Sequence, residues 1–132
     1  MKTRPATLLK AAAGVCLLLS IARAAGGAIL IGQGCAGIPK CIAQDNITTL
    51  VGVGLLAVSL LGMAGAVLAF RLHSRAIVVT AVGLVAFVLD GLINGTLLFG
   101  RPTDGGTVAN VLVATVIAIL LRAGRSGARG AA

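Results

Sequence analysis

Neither tryptophan nor tyrosine occurs in this chain, histidine occurs once and acidic residues three times. Each shortage removes a class of function. Without aromatic side chains interleaved among its basic residues, the chain lacks the stacking platforms on which single-stranded nucleic acid is held. One histidine, His73, and three carboxylates, Asp45, Asp90 and Asp104, are too few for a conventional multi-ligand metal site. No Ser/His/Asp set, phosphate-binding loop or zinc spacing occurs, and no cofactor is implied. The missing Trp and Tyr also mean that any interfacial anchoring falls to Lys and Arg.

What the chain has in quantity is apolar sequence. With 58% hydrophobic residues, 11% charged residues and a mean hydropathy of +1.10 over 132 residues, it has too little polar surface to coat a soluble globule. Three long apolar runs, Ala11 to Gly32, Ile47 to Phe70 and Ala76 to Phe99, and a shorter run from Thr107 to Leu121 are separated by short polar breaks. This pattern predicts an all-α membrane protein: a four-transmembrane-helix antiparallel bundle forming a single membrane domain over 1–132. Its helices fall at about 11–32, 47–70, 76–99 and 105–121, followed by a flexible basic tail over 122–132. Short loops make consecutive helices antiparallel neighbours.

Charge orients the bundle. With the N-terminus inside, Lys2, Arg4, Lys10, Arg71, Arg75, Arg122, Arg125 and Arg129 are cytoplasmic. Lys40 with Asp45 and Arg101 with Asp104 cancel outside, and Arg23 with Asp90 cancels within the spans. The formal +8 of the chain is then all cytoplasmic, as the positive-inside rule requires, giving an N-in/C-in protein of the cell (inner or plasma) membrane. Nucleic acid is not an expected partner, despite a pI near 11.2, because the basic residues are spread over three segments as a topology signal needs. The basic tail suits anionic headgroups. A rival reading treats Met1 to Lys10 as a signal-peptide n-region and Ala22-Arg23-Ala24 as a cleavage site. Apolar sequence resumes over Ala24 to Gly32, which favours a retained helix.

Counting depth from the boundary charges locates the polar residues of the spans. Arg23 lies about 20 Å in from Lys10, and Asp90 about 22 Å in from Arg75, at ~1.5 Å per residue. Asn110 counted from Arg122, and Ser59 counted from Arg71, fall at about 18 Å. Each helix thus contributes to one layer, and Asn94 sits one turn beyond Asp90 on the same helical face. Isolated charges in hydrocarbon are costly, so Arg23 and Asp90 are expected to pair. Such a pair can be a structural staple, or it can line a path for an ion or polar solute. Small-residue spacings suited to close helix packing occur at Gly91/Gly95, Gly62/Ala66 and Ala22/Gly26.

The external loop Gln33 to Asn46 holds Cys35 and Cys41, which are expected to form a disulfide on an oxidising side. The alternative, a redox dithiol, is disfavoured by a spacing unlike CxxC. Cys16 reads as an apolar filler. Asp45 or Asn46 is expected to cap the second helix and Asp104 the fourth, and the sequon Asn46-Ile47-Thr48 is read as part of the cap because it abuts the membrane.

Family patterns serve mainly to exclude. The chain resembles small multidrug-resistance transporters in size and span count, yet carries Arg23 where that family places its essential glutamate. It is similar to fluoride channels in size and glycine content, but Asn94-Gly95 stands without their Thr- and Phe-rich pore motif. Arg23-Ala24-Ala25-Gly26-Gly27 resembles first-helix patterns of small four-helix membrane families of the DoxX sort, over too few residues to transfer a function. Three functions stay open. The one needing least from the sequence is a non-enzymatic structural or accessory protein that binds the lipid bilayer and associates with itself or with a larger membrane complex. A small oligomeric transporter or channel comes next, using Arg23, Asp90 and Asn94. An intramembrane enzyme acting on a lipid or quinone, with Asp90 as acid or base, comes last.

Overall fold

A computed structural model describes residues 5–36, 38–103 and 107–125. The chain folds as an all-α bundle of α1 (Pro5–Gln33), α2 (Asp45–Phe70), α3 (Ala76–Phe99) and α4 (Thr107–Ala123). The first three are long and apolar enough to cross a membrane; α4 is a shorter apolar helix. Helix α1 starts six residues before the apolar run, at Pro5 rather than Ala11, and carries the exposed Lys10 inside it. Proline is well placed at a helix start, because its missing N–H has no intrahelical acceptor there.

Helix ends follow local chemistry more than the polar breaks do. Gly34 (φ 60°) and Gly100 (φ 75°) end α1 and α3 in the left-handed conformation, with their amides donating to Leu30 O and Thr96 O. Leu72 (φ 53°) turns the chain after α2 and packs its side chain on the main core, which offsets the cost of that conformation in a residue with a Cβ. His73 is exposed in this turn, and its Nδ1 accepts the Arg75 amide at 3.1 Å. The expected cap of α2 is corrected: Gln44 is the N-cap and makes no side-chain hydrogen bond, while Asn46 Oδ1 accepts from the next amide, Ile47 N, at 2.9 Å. Asp104 lies outside the described residues, as do Lys2, Arg4 and Arg129.

The helices pack as a ring, α1 on α2, α2 on α3, α3 on α4 and α4 back on α1. Contacts of α1 with α2 include Gly27 against Gly52 and Cys16 against Gly62; those of α2 with α3 include Gly62 against Gly83 and Gly65 against Thr80. Gly124, just past the end of α4, lies against Leu9. The small-residue patterns are only partly used. Gly62, Ala66, Gly91 and Gly95 are buried, but Ala22 is exposed and Gly26 faces open space, so on α1 the close approach is made by Gly27.

Two apolar clusters result. The larger joins Leu9, Cys16, Ala66, Phe87, Ile117 and their neighbours, and the smaller joins Leu30, Val51, Leu55 and Leu98 with residues of the 34–44 loop. Large apolar residues such as Leu18, Leu60, Val85 and Ile119 point outward and are more than half exposed, as helices facing lipid require.

Cys35 and Cys41 form a disulfide, with Cα atoms 5.6 Å apart. The Ile42 amide donates to Leu98 O at 2.8 Å, tying the same loop to the end of α3. In membranes prepared with thiols blocked, neither Cys35 nor Cys41 is expected to take an alkylating label before reduction. Removing the bridge is expected to cost about 2 kcal/mol, the chain-entropy value for so short a loop. Mass spectrometry of the alkylated chain checks this, and labelling of both residues without reductant would contradict it.

Candidate functional site

Four polar side chains, Arg23, Ser59, Asp90 and Asn94, lie at the junction of the two apolar clusters. Arg23 falls between Cys16 and Leu30 on α1, Ser59 between Leu55 and Ala66 on α2, and Asp90 and Asn94 between Phe87 and Leu98 on α3. Helices α1 and α3 occupy opposite corners of the ring, so a contact between them must be made by a long side chain. Arg23 makes it. Its Nη1 lies 3.8 Å from Asp90 Oδ2, and the two side chains retain 17% and 12% of their accessible surface, which leaves both largely enclosed.

At 3.8 Å this is a Coulombic contact rather than a hydrogen bond. The hydrogen bond to the carboxylate comes from Asn94, whose Nδ2 donates to the same Asp90 Oδ2 at 2.9 Å. The spacing i, i+4 along α3 puts both groups on one face. The other side of the guanidinium lies over the Phe87 ring, with Cζ 4.2 Å from the ring centroid. This is within the range of a cation–π interaction, which strengthens where water is excluded. One face of α3, formed by Phe87, Asp90 and Asn94, therefore receives Arg23 twice. Phe87 is the residue that a search for polar groups misses. Its signal is an aromatic three positions before an intramembrane acid, on the same face.

The remaining members of the layer are engaged differently. Ser59 Oγ donates to Leu55 O of its own helix at 2.6 Å, and its side chain also lines a cavity of about 20 Å³ with Ser20, Arg23, Gly62 and Phe87. That volume suits a single water-sized group. Asn110 of α4 is buried against Gly91, which has no Cβ to obstruct its carboxamide, and among the described residues Asn110 Nδ2 has no hydrogen-bond partner. The structure thus brings Arg23, Asp90 and Asn94 together, keeps Ser59 beside them through the cavity, and sets Asn110 against the α3 backbone one residue past Asp90. Cys16 is buried, and its Sγ donates to Gly62 O at 3.5 Å.

Magnitudes indicate what such a set does. Placing each charge at the middle of a span costs about 2.5–3.5 kcal/mol on insertion scales. Attraction at this separation returns about 4 kcal/mol at an effective dielectric near 20, and the ring contact about 2 kcal/mol. The two sides nearly balance. The set therefore contributes little net stability, while making any arrangement that separates Arg23 from α3 expensive.

Among the described residues, no three of His, Cys, Asp and Glu gather as a metal site would need. Fold and site together define a small all-α multi-pass membrane protein with an internal disulfide. No family model, curated protein or solved structure matches the chain.

Proposed function

We propose that this is a non-enzymatic accessory protein of the cell membrane, a four-span, N-in/C-in antiparallel bundle that works by associating with itself or with a larger membrane complex. The observation carrying this reading is the enclosure of Arg23: its charge is met by Asp90 on one side and Phe87 on the other, across the diagonal of the helix ring. A cation held in this way is occupied within the bundle, and the adjoining cavity of about 20 Å³ has the capacity of one water. The arrangement suits a staple that sets helix order and register better than a passage for a solute.

The four-span arrangement draws support from α4. Its 17 residues rise about 26 Å, near the lower limit for a spanning helix, and Ala114, Ile117 and Leu121 enter the main apolar cluster. The pairs Leu9 with Gly124, Cys16 with Gly62 and Gly65 with Thr80 set the first half of one helix against the second half of its neighbour or the residue just past it, as alternating directions require.

Two measurements test the proposal. A reporter fused after Ala132 is expected to be active only in the cytoplasm, and activity on the far side would refute the topology. Purified protein is expected to run at the mass of an assembly and, in liposomes, to give no ion or solute flux above that of empty vesicles. Flux abolished by Arg23→Leu would instead assign the polar set to transport.

A further inference from the structure

Helices α3 and α4 meet closely where Asn110 lies against Gly91. Between them lies a groove of about 860 Å³ on the outside of the ring. Its floor includes Leu84, Ala114 and Leu121, all buried, and its walls are lined by Val78, Val85 and Ala118. From Ile77 to Leu89 the groove follows α3 for 12 residue steps, about 18 Å, which exceeds the ~15 Å of hydrocarbon in one leaflet. Away from one mouth the only polar side chain among the described lining residues is Thr115, whose Oγ1 donates to Val111 O of its own helix at 2.7 Å. At that mouth Ser74 stands in the turn just before α3, Arg122 in the last turn of α4 and Arg125 two residues past the end of α4, and all three line the groove.

We propose that this groove is a binding site for one anionic phospholipid, with an acyl chain lying between α3 and α4 and the phosphate held by Arg122 and Arg125 beside Ser74. An apolar slot one leaflet deep, ending in two guanidinium groups and a hydroxyl, matches the chain and headgroup of such a lipid in the order in which a bilayer presents them. Guanidinium is well suited to phosphate because its planar N–H groups address two oxygens at once. Lipid tails surround the protein already, so burying the chain supplies fit and the arginines supply the preference for negative charge. A second copy of the chain fits less well. Copies inserted in one orientation are related by an axis along the membrane normal, and a symmetric contact through this groove would bring Arg122 and Arg125 level with their own counterparts. The site is separate from the Arg23–Asp90 set and stands whether or not that set is a staple.

The test uses the full chain in neutral detergent, titrated with phosphatidylglycerol or with phosphatidylcholine of the same acyl chains, and counts bound lipid by native mass spectrometry. One phosphatidylglycerol per chain is expected to be retained in preference to phosphatidylcholine. The exposed double substitution Arg122→Gln/Arg125→Gln is expected to weaken that retention about 25-fold, taking about fivefold for each arginine. Ala118→Trp, which fills the groove and leaves the arginines in place, is also expected to abolish it, whereas Val82→Trp, on an exposed position outside the groove, is expected to leave it intact. Retention unchanged in Ala118→Trp would reduce the effect to surface charge and overturn the site. So would equal retention of the two lipids by the unsubstituted protein. A dimer mass that Ala118→Trp converts to monomer would assign the groove to a second copy instead.

Discussion

Replacing Asp90 with leucine is expected to destabilise the protein by about 3–5 kcal/mol, because it leaves the Arg23 guanidinium enclosed without its counter-charge. The substitution removes the Coulombic contact at 3.8 Å and also deprives Asn94 Nδ2 of its acceptor, while Phe87 alone remains against the cation. Arg23→Leu is expected to do comparable harm from the other side. It strands a carboxylate that keeps only the Asn94 bond, at a depth where hydrocarbon replaces water. In the double variant Arg23→Leu/Asp90→Leu both charges are gone and apolar packing takes over, so its stability is expected to return to within about 1 kcal/mol of the original, or above it. Thermal unfolding in detergent and abundance in membranes measure all three variants. Losses in the double equal to the sum of the singles would mean that the two residues do not interact. A stable double variant that no longer forms the proposed assembly would move the pair from staple to contact site.

The second large effect is expected at Gly27. A Cβ built there lies 2.7 Å from the backbone oxygen of Gly52, 3.1 Å from Leu55 Cβ and 3.3 Å from Leu56 Cγ. The first of these neighbours is helical main chain inside α2 and cannot swing aside, so Gly27→Val must push α1 and α2 apart. Overpacking of this kind costs about 1–3 kcal/mol for added methylenes, and the upper end is expected here because the displaced group is backbone. Loss of that approach also disturbs the position of Arg23, which lies one turn earlier on α1. The neighbouring substitution Gly26→Val meets open space and raises helix propensity, so it is expected to leave stability unchanged or slightly improved. Equal melting temperatures for the two variants would show that α1 and α2 do not meet at Gly27.

The contrast between Gly26 and Gly27 also shows how far this chain is readable without its structure. Membrane character, the helix count and the positions of the breaks follow from composition and from runs of apolar residues, because a bilayer demands length and hydrophobicity of any helix that crosses it. Depth is expected from the same rule. A fixed rise per residue, counted as 13 steps from Lys10 and 15 from Arg75, is expected to put Arg23 and Asp90 two steps, about 3 Å, apart along the normal. The i, i+4 spacing puts Asn94 with Asp90. The two cysteines in one short loop are close enough in sequence for a bridge to be expected from spacing alone.

Which way each residue turns around its helix axis was decided only by packing. In a soluble protein the apolar stripe marks the inner face, but here the outer face meets lipid tails as apolar as the interior, and the periodicity that would mark a face is erased. Gly27 rather than Gly26 therefore meets α2, Phe87 lies beneath Arg23, Asn110 turns to the Gly91 backbone, and Ser59 bonds to its own helix. The groove between α3 and α4 has the same origin, since the space left between two helices depends on which side chains separate them. Position along the membrane normal is a property of a single helix and its charges, whereas orientation about that helix belongs to the contacts among all of them.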